Sequence, residues 1–178
     1  MEALTKTGFI VITGPESTGK TELAKQLATH LKCSWVPELS RNYIANLNRP
    51  YKYSDVEDIA KMQIAQLNEA IQNSSKLVIF DTGLIITKVW FDVVYKKCPK
   101  WLVSAIDKMP KALHLLCDTD IPWVADSVRE NGGKMRQKLS SIYINEFEKF
   151  GLPYVLVSGT GKLRLANSLK ILNDFKII

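Results

Sequence analysis

Cysteine is scarce in this 178-residue chain. Cys33, Cys98 and Cys117 are odd in number and far apart, which excludes a disulfide framework and a cysteine-based zinc pattern. They read as buried free thiols. Histidine is scarcer still. His30 and His114 sit inside apolar-patterned segments and read as packing residues rather than ligands. No apolar run approaches the roughly 20 residues that a membrane span needs. The start, Met1-Glu2-Ala3-Leu4-Thr5-Lys6, is polar, and Phe9 to Ile12 is too brief for a signal-sequence core. A soluble, cytoplasmic protein with no membrane association is expected. No run of five like charges occurs, although the net charge is +6. Scattered lysines argue against a nucleic-acid surface and suit a positive field around a small anionic ligand.

What is present is ordinary globular material: 46% hydrophobic and 24% charged residues, without repeats or low-complexity stretches. The length suits a single domain over 1–178. Short apolar runs alternate with helix-period segments. Strands are expected at Phe9–Ile12, Ser34–Pro37, Leu77–Asp81, Ala112–Cys117 and Tyr154–Val157. Helices are expected at Thr21–Lys32, Ser54–Asn73 (Ser54 and Glu57 forming a capping box), Leu84–Tyr95, about Met135–Phe150 and Lys162–Asp174. Strands apolar throughout and separated by helices predict an α/β fold: three layers, with a five-stranded parallel sheet covered on both faces.

The first strand runs into Gly14-Pro15-Glu16-Ser17-Thr18-Gly19-Lys20-Thr21, and a helix begins there. This is the strand–loop–helix context of a P-loop. The glycines let successive N–H groups point at phosphate oxygens, and the helix N-terminus adds its positive end. Lys20 neutralises the outer phosphates, and the Thr21 hydroxyl suits magnesium. ATP and Mg2+ are therefore the expected cofactors, with Gly14, Glu16, Ser17, Thr18, Gly19, Lys20 and Thr21 as the cradle.

Two absences narrow the class. No Asn-Lys-x-Asp-type motif reads a guanine base. Asp81, at the end of the third strand, is followed by Thr82 rather than by a water-polarising Glu. An enzyme that keeps water out and passes phosphate to a bound hydroxyl fits better than a motor or switch. The further parts such an enzyme needs have candidates. Glu38 follows the second strand, with Arg41 three residues on, and a carboxylate there can accept a hydroxyl proton. Asp81 lies on the carboxyl edge of the sheet, where it can hold magnesium or serve as the base. Arg129, Gly132, Gly133, Lys134 and Arg136 suit a lid at about 126–137, with Arg129 and Arg136 stabilising charge on the phosphates. Tyr51, Tyr53 and Trp123 are candidates to stack on a flat substrate.

Together these residues resemble the ribosylnicotinamide kinase domain of the NadR family. The shared features are the Gly-x-Glu-Ser-x-Gly-Lys-[Ser/Thr] loop at 14–21, Glu-x-x-Arg at Glu38–Arg41, and Tyr-Ser-Asp at Tyr53–Asp55. They continue with an Asp-Thr strand end at Asp81-Thr82 and a following Thr87. A Trp-Val-x-Asp lid approach at Trp123–Asp126 leads to Arg129, with one residue fewer before the arginine than in the family. The match covers roughly residues 8 to 158. It implies a nucleoside/nucleotide-kinase-like P-loop fold and transfer of the γ-phosphate of ATP to the 5′-hydroxyl of nicotinamide riboside. It also implies a substrate site that includes Glu38, Arg41, Tyr53, Asp81, Trp123 and Asp126. Two departures are visible. These 178 residues have no room for the adenylyltransferase or helix-turn-helix of multifunctional members, so such activities would lie elsewhere. The family's Asp-Thr-Asp reads Asp81-Thr82-Gly83 here, which bears on nucleoside specificity. The alternatives are a kinase for another nucleoside or vitamin alcohol, and an AAA-like regulatory module acting through a protein partner.

Overall fold

A computed structural model describes residues 8–73, 77–125 and 131–178. The elements run β1 (Phe9–Thr13), α1 (Lys20–Leu31), β2 (Ser34–Val36), α2 (Leu39–Ala45), α3 (Tyr53–Asn73), β3 (Val78–Asp81) and α4 (Leu84–Trp90). They continue with α5 (Lys100–Lys108), β4 (Leu113–Cys117), α6 (Lys134–Phe150), β5 (Tyr154–Val157) and α7 (Gly161–Asp174). The sheet order is β2-β3-β1-β4-β5, parallel throughout. The expected five-stranded parallel α/β fold is what forms, with strand ends shifted by a residue or so.

Register explains why the strands read as unbroken apolar runs. Ile10 pairs with Ile79 on one side and Leu113 on the other. These residues, with Ile12 and Leu115, face Leu23, Leu27 and Leu172 of α1 and α7. The alternate residues Phe9, Val11, Val78 and Phe80 point to the opposite face, where Leu67 and Ala70 of α3 pack. A larger apolar cluster joins Val56, Ile85, Phe91, Leu102, Ile106, Phe147 and Leu152 across α3, α4, α5 and α6. Both faces are therefore covered, as buried parallel strands require.

Three local outcomes differ from expectation. The helix expected over Leu84–Tyr95 is α-helical only to Trp90; Phe91–Tyr95 is a π-helical turn, a geometry that recurs at functional sites. The second change concerns α3, which starts at Tyr53, one residue before the expected cap. Its first turn is held by Asp55, whose carboxylate accepts the Lys52 N–H (2.6 Å) and a two-pronged contact from Arg49 (2.7 Å each). The Arg49 fork holds the Asp55 carboxyl down at about 2. Lastly, α2 and α5 are helices to which the sequence reading assigned no element, although Leu102 and Ile106 of α5 stand at i, i+4 spacing and are both buried. Behind α4, the buried Lys88 ammonium pairs with Asp92 (2.6 Å) and with Glu146 of α6 (2.7 Å). Burial works to lower its pKa, but the two carboxylates outweigh it and the net shift is upward. Among the described residues, no helix is long and apolar enough to cross a membrane.

His114 is packing material, as its surroundings in the sequence suggested. It is buried in β4 against the Phe147 ring (centroids 4.6 Å apart) with Nδ1 3.1 Å from the Thr13 hydroxyl. Burial drives its pKa down to about 3, against 6.5 for the free side chain. The unfolded chain thus binds a proton between those values that the folded chain excludes. Stability from this group is complete above pH 6.5 and is lost as pH falls toward 3, on the order of 5 kcal/mol in all. In thermal melts, His114→Asn is expected to flatten the decline in Tm between pH 6.5 and 4 relative to the unsubstituted chain. Parallel Tm–pH curves would contradict it.

Candidate active site

The loop after β1 is shaped by two glycines. Gly14 has φ +148°, and a Cβ there would stand 3.0 Å from the Cys117 carbonyl. Gly19 takes φ +74° at the N-cap of α1, and no side chain caps that helix. The first N–H groups of α1 are therefore left for a ligand, and the helix dipole favours an anion. Thr18 Oγ1 donates to the Pro15 carbonyl (2.8 Å), and Lys20 Nζ donates to the same oxygen (2.8 Å). Lys20 is held across the loop mouth, ready to exchange that carbonyl for phosphate oxygens.

Asp81 ends β3 beside this loop, 2% exposed. Neither carboxylate oxygen meets hydrogen-bond geometry with a described residue. The Thr21 hydroxyl and the Glu38 backbone N–H nevertheless lie close enough to favour its charged form. Burial is the larger effect and raises its pKa; the Glu38 charge adds to the rise, and Lys20 opposes it. A buried carboxylate with unmet acceptors next to a P-loop hydroxyl suits a hard divalent cation, which is typically held by one or two carboxylates plus phosphates and water. Thr21 and Asp81 would hold Mg2+. The described residues contain no cluster of three or more His, Cys, Asp or Glu side chains, so an all-protein cage is not what this edge provides.

A cleft of about 500 Å3 opens from Gly14 and Lys20. Its polar end carries Glu16, Glu38, Ser40, Arg41 and Thr82. Glu38 sits at the N-cap of α2 without capping it, and accepts the Ser40 hydroxyl at 2.7 Å. The far end is mainly apolar and aromatic, with Ile44, Leu47, Tyr51, Ile86, Trp90, Val93 and Val94, and Arg49 lines the cleft as well. Tyr51 and Trp90 meet edge to face, ring centroids 4.9 Å apart. The π-helical turn after Trp90 brings Val93 and Val94 into the same wall, a placement that α-helical spacing did not foretell.

The expected site residues fall into groups. Lys20, Glu38 and Arg41 line the cleft, whereas Asp81 does not but precedes Thr82, which does, and feels the charges of Glu38 and Lys20. Tyr53 does not line it: its ring packs on Phe91 (4.8 Å) and Tyr95 (5.2 Å), and Tyr51 takes the position facing the cleft. Trp123 is also outside, lying over Gly132, where a Cβ would meet its ring at 3.2 Å. Arg136 sits in the first turn of α6 and donates to the Ser17 carbonyl (3.1 Å). Asn131 donates from its backbone (2.8 Å) and its side chain (3.0 Å) to Glu16, and the Val124 N–H donates to the Ser17 hydroxyl (3.0 Å). Val124, just before the expected lid, and Asn131 and Arg136 within it are thus bound to the phosphate loop. Asp126 and Arg129 lie outside the described residues.

Two details at the end of β3 bear on specificity. Thr82 has φ +74°, a rare conformation for a β-branched residue and one that clusters at functional sites. At Gly83, a Cβ would stand 3.0 Å from Val11 Cγ1. A side chain there would need that Val11 methyl to give by a few tenths of an ångström, so the place of the family's second Asp is tight in this chain.

A family model described as "AAA domain" matches residues 9–164. The trifunctional NAD biosynthesis/regulator protein NadR of Escherichia coli (strain K12) is 25% identical over 153 residues, 83% of this chain and 37% of that protein. Its counterpart in Salmonella typhimurium is 26% identical over 133 residues, 72% of this chain and 32% of that protein. The chain thus spans about a third of the length of these curated relatives. Among solved structures, a NadR protein in complex with NR superposes with a TM-score of 0.75 at 16% identity, covering 97% of this chain and 52% of that one. Thymidylate kinase from Ehrlichia chaffeensis superposes with a TM-score of 0.70 at 15% identity, covering 94% and 100%. With the model matched from β1 into the first turn of α7, the chain belongs to the AAA-domain family and has the P-loop fold shared by NadR and thymidylate kinase.

Proposed function

We propose that the protein is an ATP-dependent small-molecule kinase that phosphorylates the 5′-hydroxyl of a nucleoside, with nicotinamide riboside as its acceptor. The observation that carries this reading is the cleft. It opens directly from Lys20 and Gly14, its volume of about 500 Å3 suits a nucleoside-sized ligand, and its polar end grades into an aromatic one. A ribose hydroxyl at the polar end would stand between Glu38 and the phosphate loop. A flat, weakly polar ring would lie against Tyr51 and Trp90. A module that worked only by hydrolysing ATP for a partner would have no use for such a cleft.

In the proposed reaction the acceptor oxygen forms a bond to the γ-phosphorus, and the bond from that phosphorus to the β,γ-bridging oxygen breaks. ADP leaves with the electron pair, and Glu38 takes the hydroxyl proton. Mg2+, held by Thr21 and Asp81, would neutralise phosphate charge. Lys20 and the N–H groups at the start of α1 supply fixed positive potential where charge spreads over the phosphoryl oxygens. Arg136, tied to the Ser17 carbonyl, brings a further cation to the same loop. NadR names the relatives and supports the nicotinamide nucleoside. The absence of a carboxylate at Gly83 favours keeping a second reading, in which the same chemistry serves another nucleoside. Purified protein incubated with ATP, Mg2+ and a nucleoside panel is expected to yield a monophosphate, nicotinamide riboside giving the highest kcat/KM. No phosphorylated product from any nucleoside, with ATP binding retained, would overturn the kinase; a different preferred nucleoside would overturn the acceptor alone.

A further inference from the structure

Arg164 takes no part in the cleft, yet its side chain is 3% exposed. It lies in the first turn of α7, and its guanidinium reaches acceptors on three loops. Nη1 donates to the Thr18 carbonyl of the phosphate loop. Nε donates to the Gly159 carbonyl after β5 (2.6 Å). Nη2 donates to the Asp118 carbonyl after β4 (3.3 Å) and pairs with the Asp120 carboxylate. The remaining groups of these loops close on one another. Asp120 accepts the Gly159 N–H (2.5 Å), and Asp118 accepts the Ser158 hydroxyl (3.1 Å). One buried cation therefore ties together the loops that follow β1, β4 and β5.

The sheet order gives this knot its meaning. In β2-β3-β1-β4-β5 the phosphate loop follows the central strand. The cleft lies to the β2 and β3 side, walled by Glu38, Arg41, Thr82 and Ile86. The rest of a donor whose phosphates lie on the loop must extend to the other side, over the loops after β4 and β5. Those are the loops that Arg164 joins. Its bond to the Thr18 carbonyl also orients the peptide that leads into Gly19 and Lys20, where the phosphate-facing N–H groups begin. Groups aligned before binding need no ordering when the ligand arrives.

We propose that Arg164 is a positioning residue of the donor half: acting through the Thr18 carbonyl and the loops after β4 and β5, it sets affinity for ATP without touching the acceptor. The proposal rests on the kinase reading for the identity of the donor. A lysine keeps the charge but not the planar fork that serves three loops at once. Equilibrium titration with a fluorescent N-methylanthraniloyl-ATP is therefore expected to show about tenfold weaker binding for both Arg164→Lys and Arg164→Gln, each measured well below its own Tm. Asp120→Asn, which leaves the guanidinium in place with a weaker partner, is expected to cost about threefold. In turnover assays the larger share of the Arg164→Lys loss should fall in KM for ATP, with KM for the acceptor unmoved. A lowered Tm with analogue affinity within twofold of the unsubstituted chain would reduce Arg164 to a structural residue and overturn the proposal. So would equal rises in both KM values. Should Arg164→Gln fail to fold, the lysine and Asp120 variants decide it. Weakened analogue binding in a protein that phosphorylates no nucleoside would uphold the role of Arg164 while overturning the proposed reaction.

Discussion

Asp81→Asn is expected to lower kcat by about a thousandfold and to raise the Mg2+ concentration needed for half-maximal rate. The substitution keeps the size of the side chain and removes the charge. It does so where both carboxylate oxygens are buried and lack hydrogen-bonded partners among the described residues. Burial also raises the pKa of this carboxyl, so magnesium affinity should weaken with falling pH at values where an ordinary aspartate is still ionised. The companion variant separates the two carboxylates of the site. Glu38→Gln is expected to reduce kcat by about a hundredfold or more, as loss of a general base does, with the Mg2+ dependence unchanged. Steady-state rates over a magnesium series at two pH values read both effects. An Asp81→Asn enzyme with the original magnesium dependence would refute the metal assignment. Should the magnesium shift follow Glu38→Gln instead, the two roles would be exchanged.

Lys20→Ala should have an effect of similar size, about a hundredfold to a thousandfold in kcat/KM for ATP. The ammonium now donates to the Pro15 carbonyl at 2.8 Å, within the curve of the loop. Phosphate oxygens offer a charged acceptor in place of a neutral one, which adds direct ion–ion attraction to a bond in which only the donor now carries charge. Arginine should not restore activity, because its planar fork is wider than the point charge the loop encloses. Kinetics of both variants, together with binding of N-methylanthraniloyl-ATP, provide the check. A loss below about tenfold would mean that the N–H groups of α1 carry the phosphates without the lysine.

The contrast between Lys20 and Arg164 shows where sequence reading reaches its limit. Lys20 is legible because the P-loop is a local device. Its glycines, lysine and threonine act through backbone angles and a helix terminus set within eight consecutive residues. Arg164 acts on carbonyls 5, 46 and 146 residues away in the chain. Nothing in the spacing of α7 marks it out from a solvated arginine in a first helical turn. Tyr51 and Tyr53 make the same point at close range. Two residues apart, both are aromatic ahead of a helix. Only the packing of Phe91 and Tyr95, on an unforeseen π-helical turn, settles which ring enters the apolar cluster and which faces the cleft.

By itself the sequence determined the strand count, the parallel α/β class, the phosphate loop and the carboxyl-edge position of Asp81. Each rests on short-range causes: unbroken apolar runs, helical periodicity and a turn that needs glycine. The tertiary structure decided the rest. It gathered Glu38, Arg41, Tyr51 and Trp90 around one cleft, left the Asp81 oxygens unmet beside Thr21, set Val11 against Gly83, and tied three loops to Arg164. Those outcomes depend on which strand ends become neighbours. The order β2-β3-β1-β4-β5 emerges only when buried faces on both sides of the sheet are satisfied together.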